Sequence, residues 1–123
     1  MTQENNNEKI LVDAIVEGLQ DNKAKSITVL DMKGVEGAIT DYFVIASCDS
    51  TTQADGAADS VWDKVHELTG RKPLHDEGRQ NAQWILLDYG EAIVHVFLRD
   101  VREYYDLEGL WSDAVRQDVD DLD

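Results

Sequence analysis

Apolar residues recur along the chain with spacings that predict three helices. Over about residues 8–22 they return every three or four positions, which is the period of one helical face. A second helix is predicted to follow Ser50, which has capping-box spacing with Gln53, and to end at Gly70. A third helical stretch is predicted over about residues 101–114.

Shorter apolar runs between these helices predict four strands. Residues 26–30 are rich in β-branched side chains, and residues 42–46 are continuously apolar, as is typical of a central strand covered on both faces. Residues 84–87 and 92–98 flank the polar segment 88–91 (Asp-Tyr-Gly-Glu), which is a hairpin signal. The pattern therefore predicts helices packed on a small sheet.

The predicted hairpin also decides which side chains share a face of the sheet. With a two-residue loop at residues 89–90, Trp84 would lie opposite His95, and Leu87 opposite Ala92. The side chains that alternate onto one face are then Trp84, Leu86, Ile93, His95 and Phe97. A three-residue loop would shift this register.

The length of 123 residues suits one domain. Residues 71–81 are polar and are predicted to form a loop, the third helix is expected to break near Gly109, and residues 1–7 and 116–123 are expected to be flexible tails. No repeat or linker divides the chain. We therefore expect a single α/β (α+β) domain over residues 1–123, with a mixed sheet of about four to five strands and flanking helices.

The charge of the chain limits the kinds of partner that it is expected to bind. Twenty-six acidic against 11 basic residues give a formal net charge of −15. Such a field repels phosphate backbones, so we expect no direct nucleic-acid specificity, and it attracts basic proteins. No apolar run approaches the ~20 residues of a membrane span, and the N-terminal residues lack the pattern of a secretory signal. A cytoplasmic location without membrane binding is the expectation.

Motifs that would support catalysis or a cofactor are missing from the sequence. The single cysteine, Cys48, excludes an intramolecular disulfide, and its neighbours offer no cation or histidine to activate the thiol. His66, His75 and His95 are scattered without the spacing of metal ligands. No glycine-rich phosphate-binding loop occurs. We expect no enzyme activity, no catalytic residue, no metal and no cofactor.

One enzymatic alternative stays open at this point. The predicted element order resembles a minimal nucleotidyltransferase core, in which paired carboxylates hold a divalent metal beside a triphosphate. No Asp-x-Asp or Asp-x-Glu pair lies on a predicted strand. An active enzyme would need unrecognised ligands, for example Asp31 and Asp41 converging from neighbouring strand ends. A generic acidic adaptor with another basic partner is a further alternative.

Three blocks of the sequence together resemble one known family. Residues 39–47 (Ile-Thr-Asp-Tyr-Phe-Val-Ile-Ala-Ser) are similar to its central strand, and residues 81–97 to its hairpin. Residues 102–111 are similar to its closing Arg-x-x-Tyr-x-Leu-Glu-x-Leu-Trp run. On these blocks the chain is identified as a member of the ribosomal silencing factor family, also called Iojap, over about residues 10–112. Cys48 departs from the family pattern, which usually has glycine there.

The resemblance implies a function that composition alone could not give. Family members bind the large ribosomal subunit through ribosomal protein uL14, block joining of the small subunit and so repress translation, notably when nutrients are limiting. The implied fold is nucleotidyltransferase-like without that enzyme's activity. The resemblance also implies that the chain can form a homodimer.

A steric inhibitor needs a specific patch, and aromatic residues ringed by polar ones commonly anchor such patches. Trp84, with His95 as its neighbour, is the predicted anchor, although a core role for this tryptophan is the alternative. Since two adjacent tyrosines cannot both face inward from a helix, at least one of Tyr104 and Tyr105 should expose its ring. The full set of predicted partner-binding residues is Trp84, Asp88, Glu91, His95, Tyr104, Tyr105 and Leu107.

Overall fold

The computed structural model describes residues 2–122, and the side chains of residues 7–122. Its elements in chain order are α1 (Thr2–Asp21), β1 (Lys25–Asp31), β2 (Tyr42–Cys48), α2 (Thr51–Thr69), β3 (His75–Glu77), β4 (Trp84–Asp88), β5 (Ala92–Leu98), α3 (Arg99–Tyr105), α4 (Leu107–Leu110) and β6 (Val115–Asp118). The two long helices and the four strands that the apolar pattern predicted are all present. Met1 and Asp123, which belong to the expected flexible tails, lie outside the described residues.

The six strands form one mixed sheet in the order β3-β4-β5-β2-β1-β6. β2 and β5 run parallel, and the other neighbouring strands pair antiparallel. The predicted mixed sheet with flanking helices is therefore confirmed, with six strands where four to five were expected.

The strands that the sequence did not reveal lie at the two edges of the sheet. β3 falls within residues 71–81, which were expected to form a loop, and β6 includes residues 116–118 of the expected tail. At the other end, α1 already begins at Thr2. Every residue of β3 and β6 is exposed, so no apolar alternation marks them. Their pairing depends on the neighbouring strand instead, and polar edges discourage pairing with other chains.

The predicted third helix is two short helices, and the break lies at Asp106 instead of near Gly109. Asp106 has a left-handed backbone with φ of 47°, which ends α3. Its side chain then accepts a hydrogen bond from the amide of Gly109 at 3.1 Å and so caps α4. Aspartate tolerates this backbone and hydrogen-bonds locally, which makes one residue both an end and a start.

α1 and α2 pack closely over one face of the sheet. A Cβ atom on Gly18 would come within 2.8 Å of the Val61 backbone, and the Ser60 hydroxyl donates a hydrogen bond to the Gly18 carbonyl at 2.6 Å. The predicted ends of α2 are confirmed, since Ser50 accepts from the Gln53 amide and Gly70 is left-handed with φ of 75°. Small residues thus let two long helices cover this face.

The opposite face of the sheet is covered only in part. Its apolar cluster, here called the second cluster, consists of Leu30, Met32, Phe43, Ile45, Ile93, Phe97 and Leu107. α3 and α4 lie over β2 and β5. On β4, Trp84 and Leu86 are half-buried, and β3 beyond them is exposed. This face therefore offers an open surface beside α3.

The hairpin register differs from the predicted one by two residues. Asp88 pairs with Ile93, and Trp84 pairs with Phe97 instead of His95. The reason is Tyr89, which is fully buried among the apolar residues under α1 and α2, so the turn consists of residues 90–91. Because a shift of two keeps every side chain on its face, the predicted shared face is confirmed.

Candidate partner-binding surface

Trp84 lies at the start of β4, on the partly covered face of the sheet. Its indole nitrogen Nε1 donates a hydrogen bond to Nδ1 of His95 at 3.0 Å. Its ring lies 4.8 Å from the ring of Phe97 and 4.7 Å from that of Tyr105, centre to centre. The side chain is half-buried, with one side on the second cluster and the other toward solvent.

His95 lies beneath Trp84 in the middle of the sheet. It is 4 % exposed, and the Phe43 ring meets it edge-on at 4.6 Å. Burial lowers the pKa of His95 to about 4, so the imidazole is neutral at physiological pH. Its Nε2 finds no hydrogen-bond partner in the described part of the chain. The structure therefore places this predicted site residue under the surface and not on it.

Tyr104 and Tyr105 close α3 and expose their rings. Tyr104 is 81 % and Tyr105 50 % exposed, and their rings meet edge-to-face at 5.0 Å. The expectation that at least one ring faces solvent is confirmed. Because Tyr105 also contacts the ring of Trp84, the three side chains form one continuous surface, here called the aromatic patch.

The sheet beside the aromatic patch adds residues that sequence reasoning missed. Glu77 of β3 pairs with Leu86, and His75 pairs with Asp88, so these four side chains point to the same face as Trp84. Leu86 was placed on this face by the hairpin pattern but not as a site residue. His75 and Glu77 carry no signal in the sequence, because their strand is polar throughout.

Asp88 and Glu91 lie at the turn, and Asp88 is four residues along β4 from Trp84, a separation of about 13 Å. Asp88 accepts a hydrogen bond from the Gly90 amide at 2.8 Å and so stabilises the turn. Glu91 is held by Arg71 through two hydrogen bonds of 2.8 and 3.1 Å. The Arg71 guanidinium lowers the pKa of Glu91. Glu91 is thus already paired and lies away from the aromatic patch.

Leu107 is buried in the second cluster, at 9 % exposure, and supports the surface from below. Next to it Arg102, also 9 % exposed, joins α3 to the sheet and to α4. The guanidinium donates to the Ser26 carbonyl at 2.6 Å, to the Ser47 hydroxyl at 2.9 Å and to Glu108 at 2.7 Å. A fully satisfied buried arginine of this kind fixes where α3 carries its tyrosines.

Asp31, one of the two carboxylates of the enzymatic alternative, lies beside the exposed Lys33, and the other, Asp41, lies beside Glu8. The Lys33 ammonium is 4.0 Å from Asp31 and 3.7 Å from Glu8, and it donates to the Tyr42 hydroxyl at 2.6 Å. A hydrogen bond with Asp41 raises the pKa of Glu8. Among the described side chains, those of residues 7–122, no group of three or more histidine, cysteine, aspartate or glutamate residues is arranged to hold a metal ion.

Two other features of the described residues bear on chemistry. Cys48 is buried, and desolvation raises the pKa of its thiol to about 11, which keeps it protonated. None of the helices within residues 2–122 is both long enough and apolar enough to span a bilayer.

Comparison with known proteins identifies the family. The model of the family described as "Ribosomal silencing factor during starvation" matches residues 3–123. The chain belongs to the ribosomal silencing factor family. The ribosomal silencing factor of Bacillus subtilis is 37 % identical over 114 residues, which cover 93 % of this chain and 95 % of that protein. The resemblance seen in the three sequence blocks is thus confirmed.

Two further similar proteins extend the comparison. A crystal structure of a protein from Chromobacterium violaceum superposes with a TM-score of 0.78 at 35 % identity, covering 83 % of each chain. A more distant mouse protein, "Mitochondrial assembly of ribosomal large subunit protein 1", is 31 % identical, covering 85 % of this chain and 46 % of that protein. The structural similarity is therefore consistent with the family that the sequence comparison identifies.

Proposed function

We propose that this protein is a cytoplasmic translational repressor that binds the large ribosomal subunit through uL14 and sterically prevents the small subunit from joining. Nutrient limitation is the condition under which this repression would matter most. The family match carries the silencing function, and the printed name of the mouse relative associates that protein with the large subunit. No chemical step is required, since occupancy of the joining surface suffices.

The aromatic patch is the proposed contact surface. Tyrosine and tryptophan dominate the energetics of many protein interfaces, because large flat rings bury much area with little loss of side-chain freedom. Trp84 is held by the sheet and by His95, whereas Tyr104 and Tyr105 project from α3. The patch therefore combines a rigid anchor with exposed rings.

Carboxylates on the open face of the sheet suit a basic partner. Glu77 and Asp88 share the open face with Leu86, at the side of the patch away from α3. The net charge of −15 would speed encounter with a basic ribosomal protein and oppose contact with bare RNA. The shape of the aromatic rings and the negative charge of these carboxylates would then favour binding to the protein component of the subunit over its RNA.

Sedimentation of purified large subunits with the protein tests the proposal. Wild type should co-sediment and keep added small subunits from joining. Trp84→Ala should weaken binding by at least about 30-fold, the effect of losing a hot-spot residue worth ~2 kcal/mol. Trp62→Ala, on α2 over the other face of the sheet, is the matched control and should bind like wild type.

Two results would separate the silencing function from the proposed contact surface. Failure of wild type to co-sediment would overturn the silencing function itself. Binding by Trp84→Ala equal to wild type would keep the function and move the contact surface elsewhere. Since a homodimer that buries the patch would compete with the ribosome, the oligomeric state of each variant should be measured by light scattering in the same buffer.

A further inference from the structure

His95 is an unexpected residue for its position in the fold. It lies in the centre of an apolar cluster, between Phe43 and Phe97, and its Nε2 has no hydrogen-bond partner in the described part of the chain. A buried unpaired donor or acceptor costs about 1–3 kcal/mol relative to a satisfied one. Phenylalanine would fill the same space without that cost, so stability alone does not explain histidine here.

What histidine supplies, and phenylalanine would not, is an acceptor for Trp84. Nδ1 of His95 accepts the indole N–H at 3.0 Å. Since Nδ1 accepts, the neutral imidazole carries its proton on Nε2, which is the unpaired atom. The bond to Trp84 therefore fixes the tautomer of His95, and the unpaired nitrogen is the one that carries the proton.

The sheet fixes the position of the acceptor, whereas the orientation of the Trp84 ring depends on the hydrogen bond. His95 is in a central strand, paired with Ile45 of β2 on one side and Leu86 of β4 on the other. Trp84 is the first residue of β4, half-buried and directly after a loop. Without the hydrogen bond, its indole N–H could be satisfied by water only if the ring turned outward, away from Phe97 and Tyr105.

We propose that His95 is a positioning residue that locks the indole of Trp84 in the orientation that binds the ribosome, without touching the partner itself. Because the indole N–H is used internally, Trp84 presents only its ring to the partner. The ring face suits a lysine or arginine side chain, through its methylene stem and its cation. This inference rests on the proposed function.

Two substitutions of His95 test whether its hydrogen bond holds the Trp84 ring in place. His95→Phe keeps a planar apolar ring and removes the acceptor. His95→Asn places an amide oxygen near the position of Nδ1 and should rescue the hydrogen bond. The first readout needs no ribosome: the exchange with solvent of the Trp84 indole N–H, one of three tryptophan signals in a ¹H–¹⁵N spectrum. We expect slow exchange in wild type and His95→Asn, and at least about tenfold faster exchange in His95→Phe.

The second readout is affinity for purified large subunits. We expect His95→Phe to bind at least about tenfold more weakly than wild type, while its urea midpoint at neutral pH is no lower, and His95→Asn to recover most of the affinity. Unchanged exchange or unchanged affinity in a folded His95→Phe would overturn the positioning role. If wild type itself fails to bind large subunits, the proposed function is wrong and the affinity readout no longer applies. The exchange experiment alone then decides whether His95 holds the Trp84 ring in place.

Discussion

Acidification from pH 7 to pH 5 should destabilise this protein through one buried side chain. His95 is 4 % exposed, and burial lowers its pKa from the ordinary 6.5 to about 4. Between these values the unfolded chain binds a proton that the folded chain refuses, so acid favours unfolding. The stabilising effect of the neutral imidazole is present above pH 6.5 and is lost as the pH falls toward 4.

The magnitude follows from the width of that window. Each pH unit over which only the unfolded state is protonated lowers the free energy of unfolding by about 1.4 kcal/mol. From pH 7 to pH 5 the window spans roughly one and a half units, so the expected loss is about 2 kcal/mol. At pH 4 it would reach about 3 kcal/mol, a large part of the stability of a domain of this size.

Urea unfolding at the two pH values, followed by circular dichroism, measures this loss when wild type is compared with His95→Phe. Other groups titrate too, among them Glu91 and Asp118, whose pKa values are lowered by Arg71 and Arg116. Their contributions are common to both proteins and cancel in the difference. We expect wild type to lose about 2 kcal/mol more than the variant. Equal losses in the two proteins would refute the reasoning that His95 is buried and neutral.

Three other predictions concern the residues that support the aromatic patch and the net charge of the protein. Gly78→Ala should cost roughly 2 kcal/mol or more in a urea melt, because φ is +88° and a Cβ would clash with the Trp84 carbonyl, whereas Gly34→Ala, at φ +84° in open space, should cost only about 1. Arg102→Met should lose about 3 kcal/mol, the low end of the range for a buried pair, by leaving half-buried Glu108 without its cation, and equal tolerance of this change and of Arg99→Met at an exposed pair would contradict that role. Since the net charge is −15, raising sodium chloride from about 0.05 to 1 M should raise the urea midpoint and weaken binding to a basic partner; a midpoint that falls would contradict this.

Elements with a strong local signal could be predicted from the sequence. The helical period of α1 and the capping residues of α2 act within a few positions, and the apolar run of β2 is continuous, so α2, β2 and the end of α1 were placed correctly. The start of α1 was predicted wrongly, because the helix begins at Thr2 and not at about residue 8. β3 and β6 could not be placed, because their residues are exposed and their pairing is decided by strands far away in the sequence. Tyr89 shows the same limit, since its burial under the helices moves the turn.

The candidate site was predictable only as far as exposure follows from local pattern. Adjacent tyrosines on one helix cannot both face inward, so the exposure of at least one of Tyr104 and Tyr105 could be foreseen, and both are exposed. The pairing of Glu91 with Arg71 and the burial of His95 and Leu107 depend on how elements meet in three dimensions. The sequence therefore indicated which segments lie on the open face, whereas only the assembled fold distinguishes their exposed side chains from their buried ones.

Because the chain is synthesised from its N-terminus, the two faces of the sheet can be covered at different times. α1, α2 and all central strands precede Leu98, so the helical layer can close as soon as β5 is made. Phe43, Ile45 and Phe97 on the other face stay bare until Arg99–Leu110 emerges and α3 docks. A chain that ends after Leu98 would keep one covered face and one exposed apolar face. Such a truncated chain would tend to aggregate and would be a natural substrate for chaperones.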